Sequence, residues 1–312
     1  LAGIEDDSRI DYSDTLVKLL ALDRILSRMV EPYGEGTNKI GLVPSFETTD
    51  PKLMGFANTY DQALIVIALV KAYQDYNDVR FLEYAARILN FYIDPRTLKY
   101  DNTLPYISYQ VHSGQPYEYY TSTGEKIARS GEAIWLAIAM AYYLNATKDT
   151  AYYNAEYKTL MVKITDYVDV NLQDPVDGGI RYSPNDPVAA ERNKKSTEHN
   201  LDAIALFSWV NLVSPESRFL KARDEVVDWV LTIGYNAAEK RFNRGQLANG
   251  QRDTALASDT HTWGIQVLYP LRDTYPELAQ IDFNNLMPYL DALKVTTNVS
   301  GKDIAGYSFN YT

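Results

Sequence analysis

The sequence predicts an all-α protein, an (α/α) toroid of helical hairpins with short β pieces in its long loops. Three observations carry that prediction. Two kinds of helix alternate along the chain, the polar starts of one kind recur at a nearly fixed interval, and long connections alternate with short ones.

The first kind of helix is apolar on every side: "DQALIVIALVKA" (61–72), "GEAIWLAIAMAYYL" (131–144), "LDAIALFSWVNLV" (201–213) and "WGIQVLYPL" (263–271). A helix of this pattern expects burial all round. The second kind is amphipathic. Phe81, Ala85, Ile88, Leu89 and Tyr92 follow helical spacing within 79–93. Leu160, Ile164, Tyr167 and Val168 do so within 155–170, and Phe219, Ala222, Val226, Trp229 and Ile233 within 219–233. Two further amphipathic segments, near 11–31 and 284–295, flank the set. The polar starts of the buried helices fall at Thr59, Ser130, Ser196 and Ser258, intervals of 71, 66 and 62 residues. Such a period marks a repeated supersecondary unit.

Buried-to-exposed links are short (76–78, 147–151, 214–217), and exposed-to-buried links are long (34–56, 94–129, 171–195, 234–257). Long loops are usually functional. Most of these carry strand-like aromatic pieces: "GLVPSF" (41–46), "PYISYQV" (105–111), "GGIRYSP" (178–184), with "AGYSFNY" (305–311) near the end. A ring of parallel inner helices inside a ring of outer ones would place all long loops and all inner N-termini at one mouth. The expectation is one domain over 1–312, with 296–312 as an extended C-terminal tail.

"GLVPSFETTD" (41–50), "TYDQALIVIAL" (59–69), "STEHNLDAIALF" (196–207) and "SDTHTWGIQVL" (258–268) resemble six-hairpin, glycosidase-like bacterial proteins over about residues 40–310. The looser "SGEAIWLAIAMAYY" (130–143) fits in order and place. The resemblance implies hydrolase, lyase or epimerase chemistry on carbohydrates. The chain departs from it in one respect: the pattern gives about nine helices where a closed six-hairpin ring needs twelve.

Composition narrows the classes. A net charge of −11 argues against a nucleic-acid partner. No apolar run approaches a membrane span. The absence of cysteine excludes disulfides, thiolate metal sites and a Cys nucleophile. The 26 tyrosines suit flat contacts with sugars or with proteins. The chain begins at Leu1 without a charged or apolar leader, from which export to an extracellular or periplasmic location is expected.

The candidate chemistry lies in the first turns of the inner helices. Glu198, Asp202, Asp61 and Asp259 are the candidate catalytic carboxylates; Tyr60, Glu132, Trp135, His199, Asn200, His261 and Trp263 are candidates for substrate contact. Paired carboxylates are what cofactor-free glycoside cleavage needs, about 5–5.5 Å apart for retention or 6.5–9.5 Å for inversion. Glu198 and Asp202, four residues apart, share a helix face. The indoles of Trp135 and Trp263 suit the C–H face of a sugar ring, or equally a core. The rival reading of each acidic residue is capping, since acids in a first turn stabilise any helix. "TYDQ" (59–62) has the form of a capping box, but the four polar groups of "TEHN" exceed what a cap requires. His199 and His261 lack a matched metal-ligand spacing, so neither a metal nor a cofactor is expected. His112 carries little information. "DPVDGGIRY" (174–182) reads first as a turn and second as a calcium loop. "NAT" (145–147), "NVS" (298–300) and "NYT" (310–312) match the glycosylation pattern.

Two functions follow as expectations. One is a toroid that binds or cleaves an oligosaccharide or polysaccharide. The other is a non-catalytic extracellular subunit that self-associates into a ring or filament. In the second, the strand-like tail, lacking a partner in its own chain, would add to a neighbouring copy.

Overall fold

The structure is a computed structural model that describes residues 10–33, 39–50, 54–111, 126–299, 301–308 and 310–311. His112 lies outside these residues, as do the final residues of "NVS" and "NYT". The chain gathers into two compact units, Leu1–Leu98 with Ser108–Gly124, and Lys99–Ile107 with Glu125–Thr312.

The first unit holds α1 (Ile10–Leu26), the antiparallel pair β1 (Val30–Tyr33) and β2 (Ile40–Leu42), and then β3 (Phe56–Asn58), α2 (Thr59–Tyr76), α3 (Arg80–Ile93) and β4 (Ser108–Gln110). β4 pairs antiparallel with β3. Asn77 ends α2 in the left-handed region (φ 54°), with its N–H on the Tyr73 carbonyl. Asparagine tolerates that conformation better than most residues. α3 buries Ala85, Ile88, Leu89 and Tyr92 of the stripe that its spacing predicts, with Leu82 buried beside them and Phe81 only half-buried. Tyr92, Phe91 and Tyr109 then meet edge to face. α2 departs from the expectation of burial on every side. It buries Ala63, Val66 and Val70 but leaves Leu64 exposed, because a helix is buried only where another element covers it.

In the second unit two hairpins follow each other: α4 (Ser130–Thr147) with α5 (Ala155–Tyr167), then α7 (Thr197–Val213) with α8 (Ser217–Trp229). α6 (Ala189–Asn193) is a short helix in the loop between them. The loops before α7 and after α8 carry the two-residue strands β5 (Lys195–Ser196), β6 (Tyr235–Asn236), β7 (Arg241–Phe242), β8 (Gly245–Gln246) and β9 (Arg252–Asp253). Of these, β5 pairs with β8, β8 with β9 and β6 with β7. α4 packs on α5 and α7, and α7 on α8 and α9 (Ser258–Leu268). Flanked in this way, α4 buries nearly its whole length, as its sequence predicts. The two outer helices end alike, α5 running into a π-helical turn at Val168–Leu172 and α8 into another at Val230–Gly234. The loop after α5 folds back on α8: Trp229 is fully buried, and Gln173 Nε2 donates to the carbonyls of Gly178 and Ala222 at 3.1 and 3.2 Å. A Cβ on Gly179 would stand 2.5 Å from the Trp229 indole. Gly179→Ala is therefore expected to cost about 1–3 kcal/mol by overpacking, measured by chemical denaturation; a neutral result would show that this loop is free to move off α8.

The end of the chain differs from expectation in two ways. No long outer helix forms over 284–295. A 3₁₀ turn at Phe283–Asn285 and the short α10 (Met287–Asp291) stand there, with Pro288 in the first turn of α10. Pro270 and Pro276 likewise begin short 3₁₀ pieces after α9, since proline starts helical turns but does not sit inside them. Among the described residues the α-helices number ten, of which α6 and α10 span only five residues each. The expected tail is strand: β11 (Lys294–Val299) and β12 (Lys302–Tyr307) form an exposed hairpin turning at Gly301 (φ 82°). β13 (Asn310–Tyr311) pairs antiparallel with β10 (Leu256–Ala257), the strand that leads into α9. The last strand thus has its partner within its own chain, which removes the reason given by the sequence for its adding to another copy. No helix among the described residues is long and apolar enough to cross a membrane.

Candidate active site

Four inner helices begin with the same kind of word: Thr59-Tyr60-Asp61-Gln62 on α2, Ser130-Gly131-Glu132-Ala133 on α4, Thr197-Glu198-His199-Asn200 on α7 and Ser258-Asp259-Thr260-His261 on α9. Each follows an extended residue (Asn58, Arg129, Ser196, Ala257) that makes no side-chain cap. The capping box read from Thr59 and Gln62 is not formed. The buried Gln62 amide instead clasps a loop: its Oε1 accepts from Val43 N (3.0 Å) and its Nε2 donates to Val43 O (2.7 Å). Asn200, at the same place on α7, does likewise with Ile180. Its Oδ1 accepts from Ile180 N at 2.7 Å, and its Nδ2 donates to the carbonyls of Ser196 (2.7 Å) and Ile180 (3.4 Å). His261 holds the same position on α9; its Nδ1 donates to Ala257 O at 2.9 Å. Its ring is buried beside Phe242 and Tyr289, so it belongs to the core.

On α2 and α7 the fourth position thus fixes a loop, and on all four helices the second or third carries an acid. In the first unit that acid is Asp61, half-buried, accepting from Asn58 Nδ2 at 3.4 Å, next to half-buried Tyr60. In the second unit Glu132, Glu198 and Asp259 occupy these places on α4, α7 and α9.

Glu198, His199 and Asp259 line a cleft of about 290 Å³, together with Tyr182, Lys194 and Arg244. Glu198 and Asp259 lie within hydrogen-bonding reach of each other, and burial holds the Asp259 carboxyl above its usual range against the pull of Thr260 N–H and Glu198. A carboxylate only accepts, so a hydrogen bond between two carboxyls requires a proton on one of them. One helical turn beneath Glu198, Asp202 is fully buried. Neither of its oxygens has a hydrogen-bond partner of regular geometry, although the indole N–H groups of Trp263 and Trp135 are close enough to favour its ionised form. Burial and the neighbouring Glu198 outweigh them and push its pKa well up. The two indoles face each other with centroids 5.1 Å apart at 34°. Trp135, Asp202 and Trp263 hold equivalent positions, the sixth residue of α4, α7 and α9, and form one layer below the acids.

His199 is buried, with Nδ1 2.7 Å from Ser130 Oγ and its ring stacked on Tyr182 at 4.7 Å and 13°. Burial, with Arg129 and Lys194 nearby, lowers its pKa to about 3, so the ring is neutral. Gly131 makes room for it: a Cβ there would lie 2.7 Å from His199 Nε2. Glu132 is held above its usual range by burial, opposed by its own backbone N–H and by Arg129, whose guanidinium lies 5.1 Å over the Tyr182 ring.

Sequence reasoning missed Tyr182, Arg129, Lys194, Arg244 and Ser130 as partners of the cleft. The only signal for Tyr182 was its place in a strand-like piece of a long loop. Asp174 and Asp177 of the possible calcium loop engage Lys195 instead, at 2.9 and 2.6 Å, and no group of three His, Asp or Glu side chains among the described residues is placed to hold a metal ion.

Asp202 leads to a prediction about pH. Its folded-state pKa is raised, so above the ordinary value of 3.8 the unfolded chain ionises first and the folded state loses relative stability as pH rises. Asp202→Asn is expected to stabilise the protein at neutral pH, by an increment that shrinks as pH falls toward 3.8. Melts of both proteins across that range test it; a pH-independent difference would place the carboxylate in a solvated environment.

No protein-family model matches the chain, and no curated protein matches its sequence. Solved structures do match. Cellobiose 2-epimerase from Bacillus thermoamylovorans superimposes with a TM-score of 0.70 at 12% identity over 96% of this chain and 74% of that one. A D-mannose isomerase gives 0.68 at 9% over 99% and 76%. A GH76 α-mannanase from Bacteroides thetaiotaomicron gives 0.63 at 14% over 98% and 74%. The fold is therefore that of the six-hairpin, glycosidase-like (α/α) toroids, in an incomplete form. At these identities the likeness is one of fold.

Proposed function

We propose that this chain is a carbohydrate-active protein whose cleft at the starts of α7 and α9 binds a saccharide and performs acid–base chemistry on it through Glu198 and Asp259. The observation that carries this reading is the contact of the two carboxyls in a cleft beside a neutral His199. The fold supports it, since the similar structures include a sugar epimerase, a sugar isomerase and a mannanase.

The reaction favoured is proton transfer at one position of a sugar, the class that includes epimerisation and isomerisation. Carboxyls that flank a scissile glycosidic bond stand about 5–5.5 Å or 6.5–9.5 Å apart. A pair in hydrogen-bond contact is closer than either and acts as one unit: one member holds a proton, the other accepts. Arg244, 2.7 Å from Asp253 and near enough to favour ionised Asp259, biases the acceptor role toward Asp259.

The test is incubation with a panel of mono- and oligosaccharides in deuterated water. Incorporation of deuterium at a sugar carbon, or appearance of an epimer or ketose, is the expected result, and it should be lost in Asp259→Asn. Release of new reducing ends would instead favour hydrolysis. Absence of binding and of any conversion, with wild type and variant alike, removes the carbohydrate reading.

A further inference from the structure

Epimerisation and isomerisation of a sugar begin alike, with loss of a proton from the carbon beside a carbonyl. They part at the return of the proton. Inversion of that carbon needs the proton back on its opposite face. A shift to the neighbouring carbon, which turns an aldose into a ketose, can be completed on the face where it began.

The central acids of the cleft stand together. Glu198 and Asp259 both line it and lie within hydrogen-bonding reach of each other. A sugar carbon placed against one therefore meets the other from the same side. The remaining titratable groups at the cleft do not supply a second face. Glu191 is ion-paired with Lys194, and Asp253 holds Arg244 through Nε at 2.8 Å and Nη2 at 2.7 Å. Such pairing favours the charged carboxylate and makes it a weaker base. His199 is anchored by Nδ1 on Ser130 Oγ at 2.7 Å, and with a pKa of about 3 it is too weak a base to take a carbon-bound proton. The Tyr182 ring is stacked on that imidazole, with the Lys194 ammonium 4.1 Å from its centre, and burial raises its pKa, so it stays a phenol.

We infer that the contact pair Glu198–Asp259 serves a one-face proton shift, so that the protein converts a reducing aldose to its ketose and does not epimerise it. The inference rests on the carbohydrate reading above and narrows it. The step balances within the pair. The Asp259 carboxylate takes the C2 proton, the C2–H electron pair forms the C1=C2 bond, and O1 receives the carbonyl pair and the Glu198 proton. From the enediol, Asp259 returns its proton to C1 while Glu198 recovers one from the O2 hydroxyl as C2=O forms. Both carboxyls end as they began, and C1 is reduced as C2 is oxidised. The substrate must present a free C1 carbonyl. A cleft of about 290 Å³ is small for a ligand site and suits the one residue at a reducing end.

The test is NMR of the products that the full chain forms from D-mannose, D-glucose and cellobiose in deuterated water, with methyl α-mannoside as the blocked control. Ketose is expected first, outpacing any epimer by at least about tenfold, a difference of about 1.4 kcal/mol in barrier. Deuterium should enter only one of the two C1 hydrogen positions, and mannose deuterated at C2 should pass part of its label to C1 in ordinary water. Asp259→Asn, its fold checked by circular dichroism, should slow conversion by about 100-fold or more. The stereochemistry is read on the wild type, so it decides the matter even where that variant fails to fold. An epimer formed first or as fast as the ketose, deuterium divided equally between the two C1 positions, or conversion unchanged in Asp259→Asn overturns the inference and leaves the carbohydrate reading standing. Sugar binding without conversion, or cleavage of cellobiose or the methyl glycoside without ketose, does the same. Neither binding nor conversion of any of these sugars removes both.

Discussion

Asn200→Ala will destabilise the second unit by about 2–3 kcal/mol, the cost of leaving buried backbone partners unmet. The Asn200 side chain is fully buried and accepts from Ile180 N while donating to the carbonyls of Ser196 and Ile180. Its loss would strand the Ile180 N–H at the point where the loop after α5 meets the start of α7. That loop carries Tyr182, which stacks on His199. The destabilisation should therefore be accompanied by loss of ligand binding even below the melting temperature. Asn200→Asp keeps one acceptor and should be milder near pH 4 than at pH 7, where burial opposes the charge. Denaturant titration of both variants decides the matter, and an Asn200→Ala protein within about 0.5 kcal/mol of wild type would show that the loop is held by other contacts.

Glu198→Gln is expected to behave in the opposite way. The amide cannot exchange a proton with Asp259, so turnover of the sugar identified by the panel should fall by about 10²–10⁴-fold, the usual worth of general acid–base catalysis. Stability should be unchanged or slightly higher, because crowded carboxyls at a functional site are held at the expense of stability. Asp202, just beneath, loses a charge that raises its pKa. Parallel measurement of kcat and Tm separates the roles of the two neighbours in "TEHN", Glu198 serving chemistry and Asn200 architecture. Activity within tenfold of wild type in Glu198→Gln would remove the carboxyl pair from the mechanism.

The alternation of helices and the regular recurrence of their polar starts were legible because both arise from local chemistry. A 3.6-residue apolar period is written in the chain whatever packs against it, and α3, α5 and α8 bury most of the stripes that their spacing marks, leaving Phe81, Tyr167 and Ile233 half-buried. The prolines at 270, 276 and 288 were equally visible and prevent the last outer helix, but a periodic reading of 284–295 passes over them. The site was legible as a set of first turns, since acids and hydroxyls gather there. What each does was not. Gln62 and Asn200 look like capping or ligand groups, and both spend their amides on loops 19–20 residues away in sequence. Asp259 and Glu198 lie sixty-one positions apart and meet only because α7 packs on α9.

The sequence by itself determined where α2 to α5 and α7 to α9 lie, the main apolar face of the outer helices α3, α5 and α8, and that the inner helices open on acidic turns. Tertiary structure alone decided that Asp202 is fully buried beside the indole N–H groups of Trp135 and Trp263, that His199 is neutral against Ser130 and Tyr182, and that the last strand returns to β10. The physical reason is range. Helix formation and amphipathicity depend on residues three and four apart, whereas the protonation of a carboxyl or an imidazole depends on the groups and the degree of burial that distant segments bring to it.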